Sequence, residues 1–407
     1  MTSYPDCTSY PDFTSPAFLR DHIASILNFY APHARDHEGG FFHHFLDDGT
    51  VYDASTRHLV SSTRFVFNYA SAFLHGGNEQ HRDWAAHGLA YLRSHHRMPP
   101  LRQNLPGHFC WQRHGKDIED ARAMAYGHAF VMLAAAYGVR AEIDGAAELL
   151  DDSWQLMEAL FWDGEHGAYA DERDQSLDIL LPYRGQNANM HAVEALLAAY
   201  ESTREARYLD RAAIIAGKFT VTMTASTDGQ IWEHYTNDWQ HDWDYNIDKP
   251  DDLFKPWGYQ TGHQVEWAKL ILQLHRHRPE GWHIERACGL FDGAMEKGWD
   301  EVHGGLVYGY APNGDFCDAN KYFWVQAEAI AAARRLFSVT GSESYRQHYQ
   351  RLWQWSWDHL VDHRHGAWFR ILTRDGQWME PYKSPAGKVD YHTLGACYDI
   401  LDAMAGS

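Results

Sequence analysis

A chain of 407 residues, 45% of them hydrophobic, has room for two average domains or one large barrel and can bury a sizeable core. Its formal net charge of -20 excludes nucleic acid and anionic membrane surfaces as expected partners, since both need a basic patch. No apolar run approaches the roughly 18 residues of a transmembrane helix, and the five cysteines are scattered without a C-x-x-C pair, which excludes a zinc ribbon or disulfide framework and fits a reducing compartment.

Along the chain, short glycine–aromatic stretches alternate with helical runs. Residues 1–15 repeat Tyr4-Pro5-Asp6 as Tyr10-Pro11-Asp12 and have neither the basic nor the apolar segment of a signal peptide. They read as a flexible tail on a cytoplasmic protein. Glu38-Gly39-Gly40-Phe41-Phe42 reads as a turn leading into a short strand, with a second turn at Asp47-Asp48-Gly49. A helical run follows at 63–74, then a more charged one at 84–93. The alternation continues with a run at 123–137, His166-Gly167-Ala168-Tyr169, a run at 190–200, Asp228-Gly229-Gln230-Ile231-Trp232 and a run at 263–274. It closes with His303-Gly304-Gly305-Leu306-Val307-Tyr308, runs at 322–337 and 345–360, His365-Gly366-Ala367-Trp368-Phe369, and a last run at 392–404. The acidic, tryptophan-bearing segment 237–252 lacks the glycine and terminal glutamate of an EF-hand and reads as a rim loop.

Six of the runs align on Arg64, His128, His191, His263, Trp324 and His392, at intervals of 61 to 72 residues. Each interval holds two helices, a glycine–aromatic hairpin and their loops, which argues for one repeated unit. The aligned runs are rich in small residues, as helices buried on both sides must be, and the intervening runs carry more charge. The expectation is an all-α fold in a single domain, 1–407: an (α/α)6 barrel of six helix pairs with short β-hairpins in the connecting loops. An open solenoid would share the same period.

Convergence of the six runs would crowd Arg64, Tyr126, His191, Glu194, His263, Glu266, Trp324, Glu328 and His392 at one end of the ring. His191 and Glu194 lie three apart on one helical face; His263 and Glu266 repeat that spacing, and Trp324 and Glu328 lie four apart. With 28 histidines in the chain, most must be structural, and repeated placement is what singles out His191, His263 and His392. The order His-x-x-Glu reverses the Glu-x-x-His of carboxylate-bridged metal helices, and no His-Glu-x-x-His occurs, so no metal is expected. Neither a G-x-S-x-G elbow, a P-loop nor a dinucleotide fingerprint is present, so no cofactor is expected. A glycosidase needs an acid–base pair of carboxylates. Here each carboxylate accompanies a histidine, which favours histidine as proton carrier and glutamate as its orienting partner.

Three motifs, Arg184-Gly185-Gln186-Asn187-Ala188-Asn189-Met190-His191-Ala192-Val193-Glu194, Gly262-His263-x-x-Glu266-Trp267 and Asp390-Tyr391-His392, resemble the N-acylglucosamine 2-epimerase superfamily, from about residue 20 to the C-terminus. The resemblance implies an (α/α)6 barrel and metal-free proton transfer beside a sugar carbonyl. A base removes the C2 proton of the opened aldose and leaves a cis-enediol; return to C1 makes the ketose, and return to the other face of C2 makes the epimer. Such chemistry needs a base of near-neutral pKa and donors for the developing oxyanion. By the family's pattern, His392 and His263 are the two acid–base residues, on opposite sides of the sugar, with Glu266 orienting His263; the expectation here is that His392 shuttles the C2/C1 proton, His263 assists ring opening and Arg64 supports the oxyanion. His191, braced by Glu194, would hydrogen-bond the sugar, and Tyr126, Trp324, Glu328 and Asn187 would complete the substrate-binding set. The stretch Arg57-His58-Leu59-Val60-Ser61-Ser62-Thr63-Arg64 is most similar to the mannose-acting branch. The implied reaction is interconversion of D-mannose and D-fructose, with D-lyxose a further substrate. The alternatives are 2-epimerisation of mannose to glucose or of cellobiose and, further off, a glycoside hydrolase or a non-catalytic sugar-binding protein. The expected partner is a monosaccharide, with no nucleic acid or membrane, in a monomer or homodimer.

Overall fold

The computed structural model describes residues 10–405. Among them are twelve α-helices: α1 (Pro16–Tyr30), α2 (Leu59–Leu74), α3 (Glu79–Tyr91), α4 (Ala125–Arg140), α5 (Ala146–Leu160), α6 (Gln186–Thr203), α7 (Ala206–Gly217), α8 (Thr261–His277), α9 (Gly281–Gly298), α10 (Phe323–Thr340), α11 (Glu343–His359) and α12 (Tyr391–Ala405). The even-numbered helices touch in cyclic order, α2 to α4 and onward to α12, which returns to α2. The odd-numbered helices pack outside them, α1 against α12 and each of the others against the inner helix that precedes it. This closure excludes the open solenoid. The fold is an (α/α)6 barrel.

Composition explains the layering. The inner α2 is buried without interruption from Leu59 to Ala72, and α4 buries the run Ala134-Ala135-Ala136. The outer α7 buries only Tyr208, Ala212, Ile215 and Ala216, the single stripe of an amphipathic helix. Of the segment 1–15, residues 1–9 lie outside the described residues, and the rest is packed rather than a loose tail. Phe13 is buried and stacks on Trp353 at 5.4 Å, and the Ser15 hydroxyl caps α1 by accepting from the amide of Ala17. No helix among the described residues is long and apolar enough to cross a membrane.

A ring of short strands holds the mouth of the barrel. Each inner helix is preceded by a strand, and each strand pairs antiparallel with one from the following repeat: Thr56–His58 with Gln112–His114, Ala123–Met124 with Glu172–Arg173, Arg184–Gly185 with His234–Tyr235, Tyr259–Gln260 with Gly309–Tyr310, and Lys321–Tyr322 with Ile371–Leu372. The sixth pair, Tyr382–Ser384 with His44–Leu46, joins the end of the chain to its beginning. Hairpins at the glycine–aromatic turns are smaller than expected. Trp162–Asp163 pairs with Ala168–Tyr169, while Arg35/Phe41, Trp299/Leu306 and Val361/Trp368 are single bridges.

The stretch around Asp228-Gly229 forms no strand at all. Instead the Gln264 side chain grips Ile231 at both its N–H and its C=O, each at 2.9 Å. The same clamp recurs in two other repeats. Asn189 holds both backbone groups of Tyr169 at 2.7 and 2.9 Å, and Gln326 holds both of Leu306 at 3.0 and 2.7 Å. In α4 a histidine serves a similar purpose: His128 Nε2 accepts from the amide of Phe109 at 3.2 Å, with Nδ1 on the carbonyl of Met124. His128 therefore occupies a clamp position, and its alignment with His191 and His263 is corrected: the α4 residue that reaches the pocket is Tyr126. The α6 motif also shifts. Its polar Gln186-Asn187-Ala188-Asn189, ahead of the run expected at 190–200, forms the first turn of the helix, because tertiary hydrogen bonds from Gln186 to Glu233 and between Asn189 and Tyr169 satisfy side chains that would otherwise compete with helix backbone.

Candidate active site

At the strand-ringed mouth lies a pocket that opens to solvent. Arg64 from α2, Tyr126 from α4, Asn187 and His191 from α6, His263 and Glu266 from α8, Trp324 from α10 and His392 from α12 all line it. The structure thus brings most of the expected residues together. Glu194 and Glu328 stand behind the lining histidines rather than on the wall.

Each of the three histidines commits Nδ1 to a carboxylate. His191 meets Glu194 at 3.0 Å, His263 meets Glu233 at 2.9 Å, and His392 meets Glu328 at 2.7 Å. A carboxylate on Nδ1 fixes the tautomer with a proton there and leaves Nε2 for chemistry. Burial is the first cause holding the His392 imidazole well below its ordinary value, with the charge of Arg64 next, and burial also lowers His191. Both rings are neutral at pH 7. Trp324 lies between the two outer histidines, its ring 5.1 Å from His263 and 5.5 Å from His392. A Cβ at Gly262 would collide with the Trp324 ring, so the glycine that precedes His263 makes room for that tryptophan.

The partner of His263 differs from the expected one. No hydrogen bond or ion pair joins Glu266 to His263; Glu233, from the segment after Trp232, holds the ring, and Gln186 donates to Glu233 at 2.9 Å while accepting from Trp267 at 2.7 Å. The reason is helical direction: Glu266 points toward α6, 3.9 Å from His191 Nδ1, and both of its oxygens are buried without a hydrogen-bond partner. Burial first, and then the charge of Glu328, push its carboxyl well above the usual range. Glu266 is therefore a neutral acid facing the pocket, able to donate. Glu194 is the opposite case. Burial would raise it, but the His191 hydrogen bond and nearby positive charge outweigh that and hold it low, and it also accepts from Tyr391 Oη.

Arg64 is held in the wall by the carbonyl of Gly387 and by Tyr126 Oη at 3.2 Å, between the rings of Phe130 and Tyr391 at 4.5 and 4.6 Å. The Asn187 Oδ1 is buried without a protein partner. A buried unpaired acceptor in a pocket wall suits a ligand hydroxyl. Sequence signals do not point to Glu233, Tyr308, Phe323, Arg370 or Lys388 at this site. Lys269 does carry a signal, since it is a lysine three residues after Glu266 inside an otherwise buried apolar helix. The loop after α7 adds Leu253, Phe254 and Pro256 as a roof over the pocket. His191, Glu194 and Glu266, or Glu266, Glu328 and His392, lie close enough together to chelate a cation. An ammonium already takes that place beside Glu328: Lys269 Nζ is 2.6 Å from Oε2.

Fold and site together define a class: helical-barrel enzymes whose pocket carries histidine–carboxylate pairs. Residues 40–396 match the N-acylglucosamine 2-epimerase (GlcNAc 2-epimerase) family model. The chain belongs to that family of isomerases and epimerases. It is 48% identical over 397 residues to the D-mannose isomerase of Marinomonas mediterranea, covering 97% of this chain and 99% of the relative. A crystal structure of D-mannose isomerase superposes with a TM-score of 0.94 at 48% identity, over 97% of this chain and 100% of that one. Cellobiose 2-epimerase from Bacillus thermoamylovorans B4167 has a TM-score of 0.84 at 18% identity, over 95% and 100%, which is a likeness of fold.

Proposed function

We propose that the protein is a metal-independent D-mannose isomerase that interconverts D-mannose and D-fructose and also accepts D-lyxose. The observation that carries the reading is the pair of carboxylate-oriented imidazoles on one pocket, His392 on Glu328 and His263 on Glu233, with Arg64 between Tyr126 and Gly387 as the fixed cation. The choice of mannose is supported by the 48% identity to a D-mannose isomerase along nearly the whole chain. The roof of Leu253, Phe254 and Pro256 supports a single sugar ring rather than a disaccharide.

In this mechanism His263 assists ring opening, as the O1 proton leaves and O5 gains one while the C1–O5 bond breaks. His392 Nε2 then takes the C2 proton, and the C2–H pair of electrons forms the C1–C2 double bond while negative charge grows on O1. Arg64, and Glu266 as a neutral donor, face that charge. His392 returns the proton to C1 as the O2 proton moves to O1, so C2 becomes the ketone and the atoms balance. His191, Asn187 and Trp324 hold the sugar.

The test is an NMR time course with mannose and EDTA-treated protein in deuterated water. Fructose carrying deuterium at C1 is expected. The absence of both exchange and ketose would overturn the reading, and glucose appearing before fructose would replace it with a 2-epimerase.

A further inference from the structure

We propose that Lys269 is a positioning residue of the active site, whose ammonium holds Glu328 in place against Nδ1 of His392 from beneath the pocket. The proposal rests on the reading of His392 as the proton-carrying residue.

Lys269 does not line the catalytic pocket. It borders a second cavity, also lined by Glu194, Glu328, Arg335 and Asp399, that is separated from the first by the histidine–carboxylate pairs. Its side chain is almost wholly buried, an expensive place for an ammonium unless anions surround it. Two do. Lys269 Nζ stands 2.6 Å from Glu328 Oε2 and 3.5 Å from Asp399 Oδ2. The other Glu328 oxygen is the one bonded to His392, and the other Asp399 oxygen accepts from Arg335 at 2.7 Å. One continuous chain therefore runs His392, Glu328, Lys269, Asp399, Arg335 across α12, α10 and α8.

The charge balance shows what the lysine does. Glu194 with His191 from α6, and Glu266 from α8 itself, bring further carboxyls toward the same place, while Arg64 approaches only from the pocket side. Remove the ammonium and Glu328 sits buried among like groups, where a carboxyl takes up a proton. A protonated Glu328 no longer demands the Nδ1 proton of His392, so the tautomer with a basic Nε2 is no longer imposed. Lys269 thus acts through Glu328, without touching substrate.

The experiment compares Lys269→Met, Lys269→Arg and Asp399→Asn in the full-length protein. The first readout is kcat and KM for mannose across pH; the second is an NMR titration of the His392 imidazole, assigned by its absence in His392→Asn. Lys269→Met is expected to lower kcat at least tenfold with KM changed by less than about threefold. Its acid limb should move up by about one to three pH units, because losing a neighbouring cation eases protonation of the pair. Lys269→Arg should recover most of the loss. Asp399→Asn should move the limb the other way, since it removes an anion. A folded Lys269→Met with the native kcat and pH profile overturns the proposal. If that variant does not fold, an Asp399→Asn limb that stays put or rises overturns it. Should the native protein prove inactive on mannose, the proposed function falls, while the imidazole titration still decides the role of Lys269.

Discussion

At the scale of single residues, the behaviour of the site turns on which proton each buried group keeps. Glu233 fixes the Nδ1 proton of His263, so Glu233→Gln should lower kcat about a hundredfold with little change in KM, as steady-state assays on mannose would read. His392 is held neutral chiefly by burial. A lowered pKa keeps the base form present into acid, so the acid limb of kcat/KM should lie below pH 6.5, and a limb at or above that value would contradict the assignment. Glu266 is neutral for the same reason read in reverse, since burial favours the protonated carboxyl. Glu266→Gln keeps a donor and should retain more activity than Glu266→Ala. The histidines His191, His263 and His392 are legible in sequence because they recur at the start of aligned helices. Glu233 is not, because nothing local marks it. It meets His263 only because the strand His234–Tyr235 pairs with Arg184–Gly185 and carries its neighbour over the pocket.

At the scale of elements, the repeat is built from a strand, an inner helix and a clamp. The clamps at Asn189, Gln264 and Gln326 satisfy backbone groups of the glycine–aromatic stretches that their short or absent strand pairing leaves open. Asn189→Ala would leave both backbone groups of buried Tyr169 unpaired and should cost about 3 kcal/mol in denaturant unfolding. Gly262 makes a different contribution: with no Cβ it lets Trp324 lie against the start of α8. Gly262→Ala should displace that ring, raising KM for sugar before it affects stability. Helix period and small-residue content make the six inner helices readable, within a few residues at each end. The polar first turn of α6 is not readable, because its helix-breaking amides are satisfied by groups from another repeat.

At the scale of the whole molecule, a closed barrel buries polar groups that have no route to water. His22 is held at about 4, and His58, His96 and His128 at about 3, all mainly by burial. Their folded values lie below that of the unfolded chain, so the unfolded state binds more protons in acid. Stability from these groups is complete above pH 6.5 and declines as pH falls from there toward about 4 or 3. The slope is about 1.4 kcal/mol per pH unit for each histidine over that window. Melting temperatures measured from pH 7 to 5 should therefore fall steeply, and a flat profile would contradict the buried neutral assignment.

The number of repeats, the alternation of apolar inner and charged outer helices, and the family motifs were determined by sequence alone, because burial on two sides or one imposes its own residue pattern. Which carboxylate serves which histidine was decided only by the tertiary structure. Glu233 reaches His263, Glu328 reaches His392 and Lys269 reaches Glu328 from different elements. Spacing within one helix shows which residues share a face. It says nothing about what a neighbouring helix sets against that face once the ring has closed.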